Sequence, residues 1–438
     1  MGAEKGGGKG MFGRLFGAAN AETAGATGAT APRPGVVAVV APGTASTLPR
    51  VSIVILNYNG RHHLAGCFES LAALDYPRER FEVILVDNGS IDGSVEEMRA
   101  RHGWVRLIEN AHNAGFSAGC NQGARAALEP DVLVFLNNDM RVERDWLTEL
   151  VAPLVAGVCQ ATTAKMLSWD GKLMNSAGGG MNFYGIGIQK GYLEEPGPKF
   201  DQQGRSLFAC GGAMAVLAEV YFDAGGFDDE FFAYYEDVDL GWRLWVQGHE
   251  VHYAPKSVCY HHHSSTSRTF PVETIRLLQV RNPFLACFKN YGEEHLRQVL
   301  PAQLALAVRR MFILAGLGDT HPFRIESTQA GGRGVVGRLW ERARHAANDT
   351  VPISRVAAAD LIGINDLLGR FDHWTARRAA VQAKRRRPDG EIFALFHKPL
   401  WCIEGEAGYE ELQRGLVSMF GIDRLFAGLE ATGADPHK

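Results

Sequence analysis

What this 438-residue chain lacks already narrows it. Its seven cysteines are widely spaced and include no CxxC pair, which excludes a zinc ribbon and a dense disulfide framework and fits a reducing compartment. No apolar run reaches the ~20 residues of a membrane-spanning helix. The longest, residues 299–317, is broken by Arg309 and Arg310. Lys5, Lys9 and Arg14 are not followed by the apolar stretch of a secretory leader, so a cytoplasmic location is expected. Neither sign of charge dominates: 45 Lys and Arg against 49 Asp and Glu leave a net charge of −4, and nothing points to nucleic acid. No internal repeat is visible. What remains is a chain with 46% apolar and 21% charged residues, ordinary for a soluble globular protein and long enough for two or three domains.

Residues 1–49 are rich in Gly, Ala, Thr and Pro and hold few large apolar groups, so a disordered tail is expected. At Arg50 the pattern changes. Four apolar runs, "VSIVILNYNG" (51–60), "FEVILVDNGS" (81–90), "VRLIEN" (105–110) and "DVLVFLNND" (131–139), each end in polar residues. Helical stretches lie between them, near 63–74, 94–101 and 115–128. Such alternation predicts a doubly wound, mostly parallel α/β sheet over residues 50–270. Ligands bind beyond the carboxyl ends of such strands, so the polar clusters there form one candidate site. Over about 150–235 the pattern loosens, with Gly-rich pieces such as "SAGGGMNFYGIG" (176–187) read as loops over a cleft, and 271–438 reads as a mostly helical C-terminal region. That region is available to pack on the sheet domain, to form a homodimer, or to meet a membrane. Its basic run "KRRRPDG" (384–390), beside aromatic residues, would suit anionic headgroups at the inner face of a cell membrane.

Three clusters can carry chemistry. In "VFLNNDM" (134–140) a buried strand delivers Asn137, Asn138 and Asp139 to its end. A carboxylate so placed can hold Mg²⁺ or Mn²⁺ against a diphosphate, or merely end the strand. In "FFAYYEDVDLGWRLWVQGHEV" (231–251) Glu236, Asp237 and Asp239 stand at a helix entrance, with Gly248 as the stop. Acids suit a helix start, but three together also raise one another's pKa, as a general base requires. In "YAPKSVCYHHHSST" (253–266) a strand ends in His261, His262 and His263, of which one should share a face with Asp139 and complete a metal site.

Taken in order, these motifs, with "NAGFSAGCNQG" (113–123) and "QVRNPFLACFKNY" (279–291), resemble family-two glycosyltransferases, in particular their bacterial rhamnosyltransferase-like branch, over residues 50–290. The resemblance implies the GT-A fold, a Rossmann-like, mostly parallel central sheet, and an inverting transfer of a sugar from a nucleotide diphosphate. It implies that Asp87 bonds the nucleotide base with Asn57 beside it, and that Asn113, Asn121 and Asn138 help bind the donor. It makes Asp139 and His261 the Mg²⁺ or Mn²⁺ ligands and Asp237 the base, flanked by Glu236 and Asp239. Asn137 stands where much of the family has a first Asp. The implied donor is dTDP-rhamnose, and the acceptor a glycan or lipid-linked glycan of a cell-surface polysaccharide. Gly211 and Gly212, in "FACGGAMAVL" (208–217), either let the acceptor approach the backbone or form a bulge. A nucleotidyltransferase shares the fold plan and metal, but would carry a basic Gly-rich loop where Asn57–Gly60 stand. A carbohydrate-binding protein that has lost catalysis would have no need to keep both Asp139 and Asp237.

Overall fold

The computed structural model describes residues 48–262, 270–317 and 353–428. The four apolar runs are strands β1 (Val51–Asn57), β2 (Phe81–Asp87), β3 (Arg106–Glu109) and β4 (Val132–Asn137). Helices α1 (Arg61–Ala72), α2 (Ser94–Arg101) and α3 (Phe116–Ala126) supply the crossovers that parallel pairing demands. The strands pair in parallel in the order β3-β2-β1-β4, with Asn57 beside Asp87 and Leu56 beside Asn137. That register collects the polar strand ends on one edge. The main core packs Ile53, Ile55, Val83, Leu85 and Val134 of the sheet against Leu64, Phe68 and Leu71 of α1. Each such side chain contributes about 1.5–3 kcal/mol on burial.

Residues 150–235 are more regular than their loose sequence pattern suggests. After β5 (Met140–Val142) and α4 (Trp146–Val155) come β6 (Ala161–Ser168), β7 (Met174–Ser176), β8 (Gly179–Met181) and β9 (Gly187–Gln189). Then follow β10 (Gly204–Arg205), β11 (Ala213–Leu217) and α5 (Ala218–Asp223). Strand β11 runs antiparallel between β4 and β6, and β12 (Val251–His261) continues the sheet parallel to β6. β6 and β11 are buried along nearly their whole length, so neither shows an apolar–polar alternation. Thr162 is polar inside because its hydroxyl donates to the Leu150 carbonyl at 2.7 Å.

Helix α6 (Glu236–Val246) ends just before Gly248, whose φ of 92° breaks it as expected. The C-terminal region is helical as expected: α7 (Val272–Asn290), α8 (Glu293–Leu314), α9 (Arg355–Gly369), α10 (Phe371–Ala383), α11 (Asp389–Phe393), α12 (Ala407–Met419) and α13 (Ile422–Leu425). Chain from Leu48 onward forms one unit. The tyrosine hydroxyl of Tyr291 donates to the Phe183 carbonyl at 2.6 Å, and Gln303 to that of Tyr184 at 3.0 Å. Residues 1–47, assigned to the tail, and His263 lie outside the described residues. Leu48, assigned to the tail as well, packs on the core.

The basic run is partly engaged within the fold, while Lys384 and Arg386 stay exposed. Lys384 binds the Asp223 carboxylate at 2.9 Å, and Arg385 binds Asp389 at 2.8 Å and the Asn290 carbonyl. Arg387 donates to the His249 carbonyl at 3.2 Å and lies 4.8 Å above the Trp245 ring. Lys384 and Arg387 fasten the C-terminal region to the sheet domain, and Arg385 ties together helices within that region, pairings between residues far apart in the chain that its order does not reveal. Among the described residues, no helix is long and apolar enough to cross a membrane.

Candidate active site

A cleft of about 430 Å³ opens beyond the carboxyl ends of β1 and β4. Of the twelve residues selected from sequence, Asn113, Asn138, Asp139, Gly211, Gly212, Glu236, Asp237 and His261 line it, while Asn57, Asp87, Asn121 and Asp239 do not.

Asn57 and Asp87 lie one layer behind the wall. Asn57 donates to Asp87 Oδ2 at 2.8 Å and accepts from Asn138 at 2.7 Å. Asp87 Oδ1 accepts the backbone amides of Gly89 and Ser90 at 3.1 and 2.8 Å. Asn57 thus transmits the position of Asp87 to Asn138, which faces the cleft. Asn88, which sequence reading passed over, lines the cleft and donates to Asn113 at 3.1 Å. Its place beside Asp87 at the end of β2 was the available signal. Asn121 is turned inward, donating to the Phe227 carbonyl at 2.8 Å and accepting the Tyr221 hydroxyl at 2.5 Å.

Asp139 follows β4, and His261 ends β12, whose antiparallel pairing with β5 sets His261 against Met140. His261 Nε2 lies 3.3 Å from Asp139 Oδ1, and its Nδ1 is 3.0 Å from Asn175 Oδ1. His261 thus joins Asp139 and Asn175 in one polar contact at the edge of the cleft. A histidine oriented through its second nitrogen is the usual form of a metal ligand. Among the described residues no group of three His, Cys, Asp or Glu could enclose a metal. The remaining coordination would fall to phosphate and water, as magnesium-type sites allow. His262 instead stacks on Trp169, ring centres 3.7 Å apart.

Across the cleft, Asp237 sits in the first turn of α6. Its Oδ2 accepts the Gly211 amide at 2.9 Å and its Oδ1 that of Val238 at 2.8 Å. Gly211 therefore holds the acid in place. Burial pushes the Asp237 carboxyl above the usual carboxylate range, against the opposing pull of those amides. Glu236 is 7% exposed, and its Oε2 has no partner. Burial first, then the Asp237 charge, hold its carboxyl well above the usual range. Asp239 stands apart: Arg243 Nε and Lys289 Nζ donate to its Oδ2 at 2.8 and 2.9 Å, and Asn290 to its Oδ1 at 2.9 Å.

The chain enters α6 through an arch, residues 232–235, in which Phe232, Tyr234 and Tyr235 have φ of 60°, 66° and 67°. Each non-glycine residue in that region costs about 1–2 kcal/mol, so packing must impose the shape. The whole arch lines the cleft. Tyr58 and Phe270 add an aromatic pair with ring centres 6.1 Å apart.

Residues 52–219 match the model of glycosyl transferase family 2. The chain is 29% identical over 231 residues to the O-antigen biosynthesis protein RfbC of Myxococcus xanthus, a stretch that covers 50% of this chain and 18% of that protein. It is 33% identical over 116 residues to the glycosyltransferase AglE of Haloferax volcanii, covering 25% of this chain and 36% of that one. The chain thus spans well under half the length of these two relatives. A mannosyltransferase of Pyrobaculum calidifontis, solved with GDP-Man and Mn²⁺, superposes with a TM-score of 0.43 at 18% identity, covering 77% of this chain and 87% of that one.

Proposed function

The chain carries a glycosyl transferase family 2 domain, and from that premise we propose that it is an inverting hexosyltransferase acting on a nucleotide-sugar donor. The observation that carries this reading is one cleft holding Asp237 together with the Asp139–His261 pair. Asp237, with an edge open to the cleft and its affinity for a proton raised, takes the proton of an acceptor hydroxyl. The hydroxyl oxygen attacks the anomeric carbon from the face opposite the diphosphate, the bond to phosphate breaks, and configuration inverts in one step. Asn88, Asn113 and Asn138 orient the nucleotide by their amides. Asp139 and His261 would hold Mg²⁺ or Mn²⁺, which when bound offsets the charge of the departing diphosphate. The donor we assign is dTDP-rhamnose, and the acceptor a glycan or lipid-linked glycan of a surface polysaccharide. Release of nucleoside diphosphate from UDP-, GDP- and dTDP-linked hexoses, with and without Mn²⁺, tests the reading. Turnover of none of them would overturn it, and turnover of another sugar would overturn the rhamnosyl assignment alone.

Asp139→Ala and His261→Ala are each expected to weaken Mn²⁺-dependent dTDP binding, whereas His262→Ala, whose ring lies on Trp169, should change it little. Calorimetric titration of the three variants decides. Equal losses for the two histidine variants would remove His261 as the distinct ligand.

A further inference from the structure

Asn282, in the middle of α7, is fully buried, far along the chain from the cleft's chemistry. Its side-chain amide nitrogen lies 2.9 Å from the Phe231 carbonyl, 3.0 Å from that of Ala233 and 2.8 Å from that of Tyr234. Its Oδ1 accepts from Arg281 at 2.9 Å, and Arg281 in turn donates to the Glu230 carbonyl at 2.8 Å and to Asp366 at 2.8 Å. The amide's orientation is therefore set by a cation that is itself anchored on both sides. The same arch is gripped from the other flank, where the backbone amides of Phe116 and Ser117, the first residues of α3, donate to the Phe232 carbonyl at 2.5 and 3.2 Å.

We propose that Asn282 is a positioning residue for sugar transfer, holding the left-handed arch 232–235 so that Asp237 is aimed into the cleft; this rests on the reading of Asp237 as the base. The chemistry of the side chain fits the task. Three carbonyls converge on one point, and only a group with two N–H bonds and no net charge meets them without a buried ion. An aspartate there would set acceptors against acceptors, and a leucine would withdraw this donor from all three carbonyls, of which that of Phe231 also accepts the Ala233 amide. Without the clamp, the three positive φ angles have a strong reason to relax, and relaxation moves the residue that follows the arch, Glu236, and then Asp237.

The test is a cycle of Asn282→Ala and Asp237→Asn in the full chain, read in two ways. Turnover is followed with whichever of UDP-glucose, UDP-N-acetylgalactosamine, GDP-mannose and dTDP-rhamnose the wild type consumes fastest. Asn282→Ala is expected to lower kcat by about tenfold to a hundredfold, the scale of a small misplacement, with donor KM little changed. In the Asp237→Asn background the same substitution should cost almost nothing more. Hydrogen exchange without ligand should rise in peptides covering residues 231–237 and stay unchanged over β1 and β2. Equal losses in both backgrounds, or unchanged exchange over 231–237, would overturn the proposal. Should Asn282→Ala fail to fold, Asn282→Ser, which keeps one donor, goes through the same cycle with a smaller expected loss. If Asp237→Asn alone keeps wild-type turnover, the base assignment fails, and the exchange result still reports whether Asn282 holds the arch.

Discussion

Asp237→Asn should cut sugar transfer by about 10²–10⁴-fold, the usual cost of losing a general base, while donor binding stays near wild type. The substitution keeps the size of the side chain and an oxygen for the Gly211 amide, so the cleft should keep its shape. Steady-state turnover and donor titration measure the two effects separately. Wild-type turnover in the variant would sink the assignment and turn attention to Glu236. The same residue sets the pH profile. Asp237 works as the carboxylate, so kcat/KM should fall as pH drops through its pKa, and burial puts that acid limb above the usual carboxylate range. Glu236 and Asp237 are adjacent and interact, so the limb belongs to the pair. Glu236 has its own effect on stability. A folded-state pKa raised by burial gives stability that is full below the unfolded pKa and lost as pH rises through the folded one. Glu236→Gln should remove that alkaline loss, which thermal melts across the pH range would show.

The second large effect concerns stability. Lys289→Ala is expected to cost about 1–3 kcal/mol, because it takes a buried charge-assisted hydrogen bond from each of two carboxylates, Asp228 and Asp239. Lys289 Nζ sits 2.6 Å from Asp228 Oδ2 and 2.9 Å from Asp239 Oδ2, with the lysine, Asp228 and Asp239 side chains 3%, 5% and 0% exposed. Arg243 and Arg377 complete the cluster, so after the substitution Asp239 and Asp228 each keep one cation but lose the lysine they share. Burial alone would push the Asp228 carboxyl up; Lys289, then Arg377, outweigh it and hold it well below the usual range. A depressed carboxylate gives stability that is present above its unfolded pKa and lost as pH falls through the folded one. The wild type should therefore lose stability in strong acid, and the variant should lose less there. Urea denaturation at neutral and acid pH measures both, and a neutral-pH loss under about 1 kcal/mol would contradict the burial argument.

How much of this was legible in sequence follows from where each interaction is local. Asn57, Asp87, Asn138 and Asp139 were readable because buried strands end abruptly in polar residues. Their division into layers was not, since it depends on which strand neighbours which. Asp239 was grouped with Asp237 by proximity in the chain, yet residues two apart on a helix point to different sides. Its partner Arg243, four residues on, was the legible clue to a structural role. The arch gave no sign, because a left-handed Phe or Tyr has no sequence signature, and the group that imposes it lies some fifty residues downstream. The core strands β6 and β11 were missed because two-sided burial erases the alternation that marks a strand.

The hairpin β8–β9 supplies Gly187 and Gln189 to the cleft, and the turn that links its strands is braced by residues far downstream, 399–401. Asn182 and Tyr184 both donate to the Trp401 carbonyl at 3.2 Å, and the Phe183 amide donates to the Pro399 carbonyl at 2.8 Å. These bonds span 219 and 217 residues in the first two cases. A ribosome releases the chain in order, so the sheet emerges while this part of the cleft still lacks its brace. The brace arrives only when residue 401 has cleared the exit tunnel. Completion of this part of the cleft therefore waits on residues 399–401, and a nascent protein that already holds Asp139, Asp237 and His261 still lacks the finished turn between β8 and β9.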